Sequence, residues 1–298
     1  VLAGFSTSFA FPPETGIVTW LVKTDSNGNM LWNNTLSCFY SSTAQSVVQT
    51  GDGGFALAGA TGSENSSDFW LVKTDSSGNM LWNKTYGGAA DDECHSIVQT
   101  GDGGFALVGW TDSSGAGNGD FWFVRTDSSG NMLWNKTYGG TSFDEAWSLV
   151  QTGDGGFALA GWTTSFGATF TEFWLVRTDS SGNMLWNKTY GGSEDDLCYS
   201  LVQTSDGGYA IAGYRLSVGP DLSDIWLVKT DVSGNMLWNA TYNQPFGTEA
   251  YAFSSARAYG STPGSQKWNA NADINSDNRV SLSDLSILAK NYGKSVTP

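Results

Sequence analysis

One segment, FWLVKTDSSGNMLWNKTYGG, recurs through this chain almost letter for letter, and no other feature limits the possible folds as strongly. Its leading tryptophan falls at Trp20, Trp70, Trp122, Trp174 and Trp226, spacings of 50, 52, 52 and 52. Between copies lies a second repeated element, such as HSIVQTGDGGFALVGW at 95–110. Each unit therefore offers four short β-prone runs, a (SIVQT), b (FALVGW), c (FWLVKT) and d (MLWNKTY), divided by GDGG and DSSGN turns of hairpin type. A helical repeat would need a 3.6-residue period, which is missing. Four antiparallel strands in a unit of about 50 residues predict an all-β fold, a five-bladed β-propeller of four-stranded blades over 1–260. Face-to-face packing of blades explains why both faces of c and d carry bulky residues, including the paired tryptophans such as Trp70 and Trp82.

The ends fit the same count. VLAGFS at 1–6 matches a b strand, so the first blade lacks its a strand, and YAFSSARA at 251–258 is placed to supply it. A start without Met or secretion signal is expected of a processed chain or of part of a longer one. The blade repeat resembles the tandem propeller repeats of secreted and surface proteins of archaea and bacteria. That resemblance covers residues 1 to about 260 and implies a fold and an extracellular or cell-surface location more than an activity.

A charge of −15 argues against nucleic acid or an anionic membrane surface as partner, because phosphate binding needs clustered Lys and Arg. No run of about 18 apolar residues is present, so no membrane span is expected. Three cysteines are too few for a disulfide scaffold.

Residues 261–298 read as a linker and a small calcium-loop and helix module. Oxygen-bearing side chains stand at loop positions 1, 3, 5, 9 and 12, namely Asp273, Asn275, Asp277, Ser281 and Asp284, and Arg279 at position 7 would give its backbone carbonyl. Hard cations take about six to eight such oxygens at roughly 2.3–2.6 Å, so Ca2+ is the expected cofactor. Asn278 stands where a glycine is usual, and Leu285–Tyr292 reads as a short amphipathic helix. The segment resembles one dockerin calcium-binding repeat, where dockerins normally carry two. The resemblance implies calcium binding more than cohesin binding.

Asn-X-Thr or Asn-X-Ser sequons occur at Asn33, Asn83, Asn135, Asn187 and Asn239 on every d strand, and at Asn65 in a b–c loop. On an outermost strand these asparagines would ring the rim, where glycans fit.

No catalytic constellation emerges. The turn TDSSGNMLW is similar to the Asp-box of sialidase-type propellers but has one residue more between Asp and Gly. Arg125 and Arg177 merely replace Lys73 at one repeat position, and Asp75 and Asp102 read as turn caps and ladder charges. His95 is the single histidine, with no nucleophile paired to it, and Cys94 and Cys198 share a repeat position as buried strand-entry thiols. The b–c loops and acidic d–a loops, such as GGAADDE, vary and emerge at one end, the generic place for a partner site. The expected function is a non-catalytic structural or adhesive surface protein, self-associating or bound to another surface protein. The alternative is a carbohydrate-binding or carbohydrate-active propeller docked through its tail.

Overall fold

The computed structural model describes residues 1–6, 17–37, 41–62, 66–167, 170–216 and 223–242. The expected calcium loop at 273–284, the helix expected after it, Asn65, Cys38 and the expected closing strand at 251–258 lie outside them. The chain divides into two compact units, Val1–Gln151 and Thr152–Pro298.

All nineteen regular elements among the described residues are β-strands. In the first unit, β1 (Leu2–Ser6), β2 (Val18–Thr24) and β3 (Met30–Leu36) form a three-stranded sheet. Among the described residues it holds only the b, c and d strands expected of the first repeat. Next come the four-stranded sheets β4 (Ser41–Gln49), β5 (Phe55–Gly62), β6 (Ser67–Thr74), β7 (Met80–Tyr86), and β8 (Asp92–Gln99), β9 (Phe105–Thr111), β10 (Asp120–Thr126), β11 (Met132–Tyr138). The strand β12 (Asp144–Gln151) ends this unit. The second unit carries β13 (Phe157–Thr163), β14 (Glu172–Thr178) and β15 (Met184–Tyr190), then the sheet of β16 (Asp196–Gln203), β17 (Tyr209–Leu216), β18 (Ser223–Thr230) and β19 (Met236–Tyr242). Neighbouring strands are antiparallel and follow chain order, so each four-stranded sheet is a meander grouped a-b-c-d and the first sheet is one of b-c-d. This repeated four-stranded antiparallel sheet is a propeller-like architecture, and the four such sheets with the three-stranded first one fit five blades.

The sheets of the first unit pack face on face. Phe69 and Leu71 of β6 join Ile97, Leu107, Trp122 and Val124 of the following sheet in one core, and Phe69 meets Trp122 edge-on at 4.5 Å. In the second unit Phe173 meets Trp226 at 4.7 Å. A strand covered on both faces has no polar side to present, which is why β10 and β14 are buried at every position. The d-strand tryptophans also serve this packing. Trp82 lies 6.1 Å from Phe105, and its indole covers Gly130, where a Cβ would come within 2.7 Å of the ring. Gly130 has φ +75°, so the turn needs glycine for its backbone as well as for the space. Tyr86 closes the joint by donating its hydroxyl to the Gly130 carbonyl at 2.7 Å.

Candidate functional site

The turns that recur in every repeat consume most of the repeated charge. Asp75 Oδ1 accepts from the Ser77 and Asn79 amides at 2.8 and 2.9 Å, and its Oδ2 accepts from Asn79 Nδ2. Asp25, Asp127, Asp179 and Asp231 do the same in their own turns. In the GDGG turn, Asp102 accepts from the Thr100 hydroxyl at 2.6 Å and the Gly104 amide at 3.1 Å. It also pairs with Arg125 at 2.5 Å. Asp52 with Lys73, Asp154 with Arg177 and Asp206 with Lys229 repeat the arrangement. These side chains are turn caps and ladder charges, as expected from sequence.

Each d strand is a sheet edge, and the sequon asparagines Asn33, Asn83, Asn135, Asn187 and Asn239 are exposed on it. Every one of them accepts a hydrogen bond from the indole Nε1–H of the c-strand tryptophan, at 3.2–3.4 Å. Their Nδ2 atoms point at the methionine sulfur three residues earlier. Sequence alone did not disclose this bond, because Trp and Asn lie thirteen residues apart on two strands.

Cys94 and Cys198 are fully buried free thiols. Burial pushes Cys198 up to about 12 and Cys94 further, so neither is a thiolate at neutral pH.

The repeats also differ where the a strand bulges. Register shifts at Ala44/Ser46, Cys94/Ser96 and Cys198/Ser200 leave Gln45, His95 and Tyr199 as the extra residues, and Trp147 fills the same repeat position. In the first unit His95 stacks on Trp147 with centroids 4.0 Å apart and planes 1° from parallel. Its Nε2 lies 2.9 Å from Glu145 Oε1, and its Nδ1 is buried without a partner among the described residues. Glu93, beside it on β8, has its carboxyl held above the ordinary range by burial, with His95 opposing and Glu145 adding to the rise. Trp110 is the cross-strand neighbour of Glu93 and lies 5.4 Å from Phe143. In the second unit Tyr199 and Tyr214 stack at 5.7 Å, and the Arg215 guanidinium sits 3.8 Å over Trp226. A column of Gln, His, Trp and Tyr inside an otherwise constant strand was the available signal.

No known protein family matches the chain. It is 28% identical over 153 residues to the regulatory protein FlaEY of Caulobacter vibrioides, covering 44% of this chain and 16% of that protein. It therefore spans about a sixth of that relative's length. Among solved structures, Sqt1 of Chaetomium thermophilum aligns with TM-score 0.44 and 13% identity over 75% of this chain and 53% of its own. A provisional glycoside hydrolase from Bacteroides ovatus aligns with TM-score 0.42 and 9% identity over 65% of this chain and 70% of its own. These likenesses are distant and decide no activity.

Proposed function

We propose that this chain is a non-catalytic structural or adhesive module of an extracellular or cell-surface assembly. In this reading the sheets form a five-bladed propeller closed by the strand at 251–258, and the tail binds Ca2+ through Asp273, Asn275, Asp277, Ser281, Asp284 and the Arg279 carbonyl. The sequon asparagines carry glycans, and the partner is another copy of the chain or a second surface protein. One observation carries the reading: the Asp, Lys and Arg that recur in each repeat are spent on the same turns, whereas an enzyme would place different acids in different repeats. Fractionation of the native source followed by negative-stain electron microscopy tests it. The expected result is protein in the surface fraction as multimers or fibres, and a cytoplasmic monomer would overturn it.

The alternative, a carbohydrate-binding module, is favoured by the acids and aromatics that stand together around the bulge, Glu93, His95, Glu145 and Trp147, with Trp110 beside them. A glycan-binding screen with Trp110→Ala as control tests that reading. Binding that is lost in the variant would replace the purely structural reading.

A further inference from the structure

In the first unit, carboxylates from successive sheets converge in pairs at the end of the sheets that bears the varied loops. Asp68 lies near the start of β6 and Asp92 opens β8. Both approach the same point over Gly87, where a Cβ would stand 2.8 Å from Asp92 Oδ2 and closer still to Asp68 Oδ1. The arrangement recurs with Asp120 at the start of β10 and Asp144 at the start of β12, over Gly139. Asp92 is 0% and Asp120 1% exposed.

Asp92 and Asp120 are only half satisfied. Asp92 Oδ2 accepts from the Gly88 amide and the Ser113 hydroxyl, both at 2.8 Å, while its Oδ1 is buried without a partner among the described residues. Asp120 Oδ2 accepts from the Ala116 amide at 2.6 Å and the Gly117 amide at 3.4 Å, and again Oδ1 is buried and unpartnered. Asp68 Oδ1 is in the same condition. Paired buried carboxylates with orphaned oxygens are unfavourable unless something positive lies between them. Burial and the Asp92 charge raise the Asp68 carboxyl, and burial first, with Asp144 and Asp112 adding, raises Asp120.

The repeats themselves point to the missing charge. Where Asp68 is replaced by Val18, Asp92 is replaced by Ser42, so the two acids disappear together. In the second unit the pair persists as Glu172 and Asp196, and there Arg215 replaces the threonine of other repeats. Its Nε donates to Asp196 Oδ1 at 2.8 Å. That repeat brings its own cation.

We infer that the Asp68–Asp92 and Asp120–Asp144 pairs each bind a hard divalent cation of the Ca2+ class, with loop carbonyls and water completing the oxygen shell. Among the described residues no three His, Cys, Asp or Glu side chains are placed to hold one metal ion, so each site has two carboxylates only. The inference is independent of the calcium loop in the tail.

The test uses the full chain with the tail silenced by Asp277→Ala and Asp284→Ala. Thermal unfolding in EDTA is compared with unfolding in 1 mM CaCl2, and bound Ca2+ is counted by equilibrium dialysis. A Tm rise of about 5–10 °C and about two ions per chain are expected. Asp92→Asn with Asp144→Asn should abolish the response and raise the Tm in EDTA, since repulsion is relieved. No response to CaCl2 in the tail-silenced chain, or an undiminished response in the Asn variant, would overturn the inference. So would a Tm that rises on acidification while ignoring CaCl2, which is the signature of a proton shared by each pair. Should the Asn variant fail to fold, the dialysis count alone decides, and zero ions overturns it.

Discussion

The indole of Trp174 and the amide of Asn187 are joined across two strands, Nε1 donating to Oδ1 at 3.2 Å, with Trp174 fully buried. The repeats place the same pair at Trp20 and Asn33, Trp70 and Asn83, Trp122 and Asn135, and Trp226 and Asn239. A buried indole N–H needs an acceptor, and the strand opposite supplies one. Asn187→Ala should therefore destabilise the protein by about 1–3 kcal/mol. Asn187→Asp keeps an acceptor and should cost less. Thermal unfolding of both variants checks the order. Equal losses would mean that the indole bond contributes nothing.

The same geometry bears on glycosylation. The structural bond uses Oδ1, whereas an N-linked glycan attaches at Nδ2, so the two uses of one asparagine are compatible. Intact mass spectrometry of natively sourced protein should show added hexose-containing mass, reduced stepwise by Gln at Asn83, Asn135 and Asn187. A mass equal to the bare polypeptide would leave these residues with the indole bond as their whole role.

The sequence disclosed the fold well and the site poorly, for one physical reason. Strand period, turn chemistry and repeat length are local, so the four runs, their hairpins and the short first sheet could all be read directly. The joining of Asp68 to Asp92, or of His95 to Glu145, depends on how one sheet faces the next. Those residues lie 24 and 50 positions apart. The constant positions of the repeat carry the fold, and the residues informative about the site are the ones that vary, such as the Gln45, His95, Trp147 and Tyr199 column. Even so, Asp75 and Asp102 were recognisable as caps, since Asx turns and GDGG hairpins carry their partners within a few residues.

Acid should act on two carboxylate groups in opposite senses. Asp102 is lowered to about 2, chiefly by the Thr100 hydroxyl, with the Gly104 amide and Arg125 adding, and Asp206 is lowered to about 2 in the same way. A depressed folded value means stability that is present above the unfolded value of about 3.9 and is lost as pH falls toward about 2. Asp68 and Asp120 are raised, so they take up protons more readily when folded and gain stability on mild acidification. In EDTA the Tm should hold or rise from pH 7 to about 5 and fall steeply below about 4. Asp102→Asn with Asp206→Asn should flatten the acid limb. An acid limb unchanged by those substitutions would locate the loss elsewhere.

A glycine faces the bulge. Gly109 lies opposite Cys94 in the β8–β9 register, immediately beside the shift that turns His95 into the extra residue. A Cβ there would run into the Glu93 carbonyl and come within 2.9 Å of the Cys94 Cα. Backbone cannot swing aside as a flexible side chain can, so β8 itself would have to move. Gly59 and Gly213 face the same obstruction in their own sheets. Overpacking of this kind costs about 1–3 kcal/mol. The displacement would also fall on Glu93 and Cys94, next to the His95–Glu145 contact. Gly101 is the matched control: it lies in a turn, and nothing stands within 4 Å of its would-be Cβ. Gly101→Ala should change stability by no more than about 0.5 kcal/mol. Gly109→Ala should lower the unfolding temperature and expose Cys94 to a thiol reagent that the native protein resists. A Gly109→Ala chain as stable as the Gly101→Ala control, with Cys94 still unreactive, would mean that β8 can yield without cost and that the bulge does not fix where His95 points.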